Sequence, residues 1–309
     1  MPQYHRILCA AVAAILALSG PLAADKASYL TLAERGWSYE LRTTMLARDP
    51  GIPVHINGRD FSGTSICLVG DPPDKSTLRT LDTFRDLARE IFGKPLPMRY
   101  AGPEARQCGL GRTVVLRLYS GAPPNRALTD DLLWMNDVHD LGLPPRRRYA
   151  APSPALAQTF FGRRGAGTHI MVQQAGTDAR DPEARAFFNS ILIEELFQSF
   201  TFGMDILHLD RDTAYASKLE EFPVDLRHLP WDSPAYMRGL LSSNPRGLCE
   251  FDVLMLHAVA TAPVDQTNDP AFIAYIDSAF DTLMMATRRT MGDGRFAPIL
   301  DPECGGGPG

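Results

Sequence analysis

The chain has 309 residues, 45% hydrophobic and 22% charged, with a formal net charge of −5. That length and apolar content support a buried core of one large domain or two small ones. The mild acidity, with no basic block longer than Arg146-Arg147-Arg148, argues against a nucleic-acid partner.

Residues 1–24 run from a polar start holding His5 and Arg6, through an apolar stretch from Ile7 to Ser19, to Pro21-Leu22-Ala23-Ala24. This is the order of a cleavable signal peptide. The stretch is too short to span a bilayer, which takes about 20 residues, and no later segment is long and apolar enough, so no membrane span is expected after cleavage. The expected location is periplasmic or secreted. Of five cysteines, Cys9 falls in the signal region. The remaining four, Cys67, Cys108, Cys249 and Cys304, are an even number suited to two disulfides in an oxidising compartment. Their spacing favours Cys67 with Cys108 and Cys249 with Cys304, although three pairings are possible.

Residues 27–70 read as a short helix followed by extended segments, Ile52-Pro53-Val54-His55-Ile56 and Ser65 to Val69. From Asp74 the period changes. Leu78, Leu81, Phe84, Leu87, Ala88, Ile91 and Phe92 recur every three or four residues, which predicts an amphipathic helix ending at Gly93. A strand over 113–119 completes an α/β succession. Residues 120–167, rich in proline and with a helix predicted over 130–138, read as a surface insertion. Within them Gly162-Arg163-Arg164-Gly165 lacks the Gly-Lys-Ser/Thr ending of a phosphate loop. A strand over 168–173 and a long helix capped by Asp181 and Pro182, stopping at Gly203, follow. Two further helices are expected over 250–262 and 270–290, and a flexible tail over 301–309.

The long helix is apolar around its whole circumference from Phe187 to Phe202, the mark of a buried helix. Yet Glu194 and Glu195 stand in its middle, with Gln198 one turn beyond Glu194 on the same face. No Lys or Arg lies between Arg185 and Arg211 to neutralise them. Burying an unpaired carboxylate costs several kcal/mol, so the fold must supply a distant cation, a proton, a metal ion or backbone N–H groups. In zinc peptidases a helical His-Glu-x-x-His holds the ion through residues i and i+4 while the Glu activates water. Here Glu194-Glu195-Leu196-Phe197-Gln198 keeps the general-base position at Glu195 and places oxygen donors at both ligand positions. Such donors suit calcium, magnesium or manganese better than zinc. The candidate ligands are therefore Glu194, Gln198 and Asp205, for a divalent metal if any cofactor is used. Further candidates are Asp252 on a later helix and His169 on the strand preceding the motif helix.

This helix, the downstream Asp205, Ser217 and Leu219, and the segment Cys249-Glu250-Phe251-Asp252-Val253-Leu254-Met255-Leu256 resemble the bacterial exported proteins grouped as domain of unknown function 2927. The resemblance covers roughly residues 30–265. It implies an envelope location and a zincin-like core with the altered motif, and carries no established activity. The expected architecture is accordingly α/β (α+β): a single zincin-like domain over 25–300, with a small sheet packed on the long motif helix and helices closing the C-terminal end. Two functions are compatible with it. One is a non-catalytic exported protein that binds a peptide, a glycan or another envelope protein. The alternative is a metal-dependent hydrolase using Glu195 as general base.

Overall fold

The computed structural model describes residues 26–39, 51–110, 113–175 and 181–304. The signal peptide expected over 1–24 and the end of the tail, 305–309, lie outside the described residues. Mixed α/β architecture is what the chain adopts, around one five-stranded sheet. In chain order the elements are α1 (Lys26–Trp37), β1 (Ser65–Gly70), α2 (Lys75–Phe92), β2 (Met98–Gly102), β3 (Thr113–Tyr119), α3 (Asn125–His139), β4 (Ala155–Gly162), β5 (Gly165–Gln173) and α4 (Pro182–Thr201). There follow β6 (Ile206–Leu207), β7 (Glu220–Glu221), α5 (Pro234–Leu241), α6 (Glu250–Thr261) and α7 (Pro270–Met291). No described helix is long and apolar enough to cross a membrane.

The sheet runs β2-β1-β3-β5-β4, with β4 antiparallel at one edge and the other neighbours parallel. Parallel strands covered on both faces read as unbroken apolar runs rather than alternations. Ile66 to Val69 and Val114 to Leu118 do so, save for Arg117. One face, through Ile66, Leu68, Val114, Leu116, Ile170 and Val172, joins the main core with α2 and α4. On the opposite face Tyr119, Phe160 and Met171 pack under α3.

Helix ends follow their local chemistry. Asp74 accepts the Thr77 N–H at 2.7 Å to start α2, and Gly93 at φ 69° stops it. Asp181 accepts the Glu183 N–H at 2.9 Å to start α4. Its other end departs from expectation. The left-handed residue is Phe202, at φ 58°, not Gly203. Gly203 is needed for a different reason: a Cβ there would lie 2.5 Å from Leu219 Cδ1 and 2.6 Å from Trp37 Cζ2.

Three other expectations are corrected. Residues 52–56 form no strand, because their backbone is taken up by the loop before α7: Thr267 N–H donates to Ile56 O at 2.8 Å, and Asn57 then caps a short 3-10 turn, Gly58–Phe61. Residues 120–167 are not a surface insertion but supply α3 and β4, and their prolines mark the connections between packed elements. Gly162 to Gly165 is the tight turn of the β4–β5 hairpin. The tail is held as far as residue 304: Leu248 and Leu300 bridge, and Cys304 pairs with Cys249. Cys67 on β1 pairs with Cys108, so both disulfides follow the pairing favoured by spacing.

Candidate functional site

The motif helix α4 is clamped between the sheet and the C-terminal helices, with Phe187, Phe197 and Phe200 at most 1% exposed. Its carboxylates face a loop system, residues 204–221, stitched together by side chains. Glu220 accepts the N–H groups of Ala216 and Ser217 at 2.7 and 3.3 Å on one oxygen, and its other oxygen lies 3.2 Å from His208 Nδ1. Asp252, in the first turn of α6, binds the same turn from beneath. It accepts from Ser217 Oγ at 2.6 Å and from the N–H groups of Lys218 and Cys249 at 2.7 Å each. Burial pushes the Asp252 carboxyl up to about 7 even against those three donors.

That turn delivers Lys218 to the motif helix. The Lys218 side chain is fully buried, and its ammonium lies 2.8 Å from Glu194 Oε2. It also donates to Ser190 Oγ at 3.0 Å and to Pro245 O at 2.7 Å, so all three donors are used. Asn244 Nδ2 adds a further hydrogen bond to Glu194 Oε2 at 2.9 Å. The distant cation required by an apolar helix carrying a carboxylate is therefore Lys218. The short β6–β7 pairing, Ile206 to Glu220 and Leu207 to Glu221, brings the third carboxylate in.

Glu194, Asp205 and Glu221 each place a carboxylate oxygen within 4.8 Å of the other two. Gln198 turns its amide nitrogen to Asp205 Oδ1. Two of these carboxyls, Asp205 and Glu221, hold their protons above the ordinary carboxylate range. Burial, then repulsion from Glu194, pushes Asp205 up to about 6. The same two causes, with Asp205 adding to the repulsion, push Glu221 up to about 7; a hydrogen bond between Glu221 and Glu194 adds to the rise. Glu195 is raised well above the carboxylate range by burial, then by Glu194 and Asp205, and it accepts the backbone N–H of Ala157 on β4.

Of the residues singled out in the sequence, Glu194, Gln198 and Asp205 come together, and Glu195 lies beside them against the sheet edge. Asp252 does not join them, because its oxygens are committed to the turn it braces. His169 faces away from α4: its β5 neighbours Ile170 and Val172 point to the main core, while His169 lies 2.9 Å from Asp131 on α3. There Arg117 donates to Asp131 at 2.6 Å. Hydrogen bonds from His169 and Arg117 outweigh the cost of burial and hold the Asp131 carboxyl below its ordinary value. Sequence reasoning missed Lys218 and Glu221. The one signal was an isolated lysine in an otherwise acidic stretch, Lys218-Leu219-Glu220-Glu221.

Comparison of the chain with protein-family models, with curated proteins and with solved structures finds no match.

Proposed function

We propose that the chain is an exported envelope protein in which a degenerate metallopeptidase-like helix serves a non-catalytic role, binding a peptide, a glycan or another envelope protein. The observation that carries this reading is the fully buried Lys218 ammonium 2.8 Å from Glu194 Oε2. An internal cation stands at the first ligand position of the motif, and Asn244 donates to the same oxygen. At the second position the Gln198 amide presents N–H to Asp205 rather than a lone pair to an ion. Glu195, the residue at the general-base position, accepts a backbone N–H from β4.

One observation favours the metal-dependent hydrolase instead: the convergence of Glu194, Asp205 and Glu221. These would hold a hard divalent ion, which would polarise a water for Glu195. Elemental analysis separates the two. The purified chain, dialysed against trace divalent metals, is expected to retain no stoichiometric ion, and a Glu194→Ala/Gln198→Ala variant is expected to lose stability rather than metal. Near-stoichiometric metal in the parent, lost in the variant, would sink the non-catalytic reading.

A further inference from the structure

A cavity of about 840 Å3 opens beside the outer edge of β4, and Thr159 and Phe161 of that strand line it. Its size falls within the range of ligand sites, about 300–1,000 Å3. In an antiparallel pair, alternate residues turn both N–H and C=O toward the partner strand, and the residues between them turn both outward. Ala157 belongs to the outward row, because its N–H reaches Glu195 rather than β5. Thr159 and Phe161 follow at intervals of two, so their N–H and C=O groups also point away from β5. Among the described residues, no backbone group pairs with them on that side. An edge left open in this way is a template for one more strand.

The two ends of this edge differ. At its start, Glu195 already holds the outward N–H of Ala157. At its finish, the turn of the hairpin sets Arg163 and Arg164, both exposed, in the cavity lining. Arg163 lies 3.6 Å from Asp140, and Arg164 donates to the backbone carbonyl of Asp137. The charge of Arg164 is felt inside the cavity: after burial, it is the second cause that holds His139 below its ordinary value. A peptide laid parallel to β4 ends at this turn, where its terminal carboxylate meets guanidinium groups, the side chains that grip carboxylates in a planar fork. Laid antiparallel, it would bring its N-terminal ammonium against like charge. Trp134, Phe161 and Phe202, each partly buried, offer an apolar wall to its last side chains. Two carboxylates share the lining. His55 Nδ1 holds Asp60 at 2.9 Å, while the exposed Asp137 opposes an incoming anion.

We infer that this cavity binds the C-terminal segment of an extended peptide, added to β4 as a parallel strand at Thr159 and Phe161, with its α-carboxylate on Arg163 and Arg164. The inference rests on the binding role proposed above and deepens it by choosing the peptide as ligand. It shares no residue with the Lys218–Glu194 pair, so metal analysis and peptide titration fail separately.

The test titrates the purified chain by fluorescence anisotropy, with melting temperatures measured on every variant. The probes are N-terminally fluorescein-labelled hexapeptides Gly-Thr-Val-Thr-Val-X, with X valine, phenylalanine or tyrosine, each with a free carboxylate and as its C-terminal amide. Unlabelled N-acetylvaline serves as a competing small acid. Saturable binding of at least one free-carboxylate peptide is expected, weakened at least tenfold by amidation. Arg164→Gln, a surface change, is expected to weaken it about tenfold at an unchanged melting temperature, and Asp137→Asn to strengthen it by removing a like charge. Thr159→Pro deletes an outward N–H on an edge strand, where proline is tolerated, and is expected to weaken binding at least tenfold. No saturable binding at millimolar concentration, equal binding of the amides, competition by N-acetylvaline at the affinity of the hexapeptide, or binding indifferent to Arg164→Gln would each overturn the assignment.

Discussion

Replacing Lys218 by methionine keeps most of the apolar stem and deletes the ammonium. Five groups then lose a partner or a counter-charge: Glu194 Oε2, Ser190 Oγ, Pro245 O and, through the field, the Asp205 and Glu221 carboxyls that Lys218 holds down. Removing one member of a buried ion pair costs about 3–5 kcal/mol, because the remaining charge is left uncompensated. Replacing both members by neutral groups is far cheaper. Lys218→Met should therefore cost about 3–5 kcal/mol, whereas Lys218→Met/Glu194→Gln should recover at least about 2 kcal/mol of that loss, giving a strong coupling in the double-mutant cycle. The single variant should also be worst at high pH. Without Lys218 the carboxyls are raised further, and the stability they contribute in protonated form is lost as pH rises through the folded values. Urea unfolding at pH 5 and pH 8, on both single variants and the double variant, measures all of this. A cost below about 1 kcal/mol for Lys218→Met, or strictly additive effects, would refute the ion pair as the element holding the site.

Glu221→Gln mimics the protonated acid. With a folded value of about 7 against 4.5 unperturbed, this group stabilises fully below about pH 4.5 and loses that contribution as pH passes 7, a difference worth up to about 3 kcal/mol. The variant should thus gain about 1–3 kcal/mol at pH 8 and nothing at pH 4.5; thermal melts at both pH values, in chelator, check it, and a gain independent of pH contradicts a Glu221 carboxyl raised by burial and its acidic neighbours. Gly203→Ala should cost about 1–3 kcal/mol, since its Cβ would meet Leu219 and Trp37 at 2.5 and 2.6 Å; an unchanged melting temperature would show that the contact relaxes freely. Cys67→Ala/Cys108→Ala opens a loop closed across a separation of 41 residues and should cost about 2–4 kcal/mol in denaturant unfolding, whereas no change would mean the bridge constrains little.

How far the sequence revealed this molecule depended on whether a signal was local. The helix α2 was legible from its period and from Asp74 and Gly93 at its ends, and β3 from an apolar run between turn residues. The edge strand β4 was hidden because Ala155-Leu156-Ala157-Gln158 has weak strand character and sits among prolines; its place is set by pairing with β5. The same division runs through the site. Glu194 and Gln198 share a helix face by periodicity alone. Lys218 and Glu221 reach them only through two strands of two residues each and a turn gripped by Asp252. Periodicity identifies a carboxylate in need of a partner, but a contact assembled from distant segments leaves no period to read.

The grip of Asp252 on that turn sets an order of assembly. As the chain lengthens, α4 is complete by residue 201 and Lys218 follows soon after, yet the carboxylate that fixes the lysine's backbone lies at 252 and the Cys249 partner at 304. Until the last helices arrive, the chain carries an all-apolar helix with two carboxylates and no anchored counter-ion, a species with exposed hydrophobic surface and a propensity to aggregate. A chain cut before residue 249 therefore loses more than a C-terminal cap: it cannot complete the interior of its own central helix.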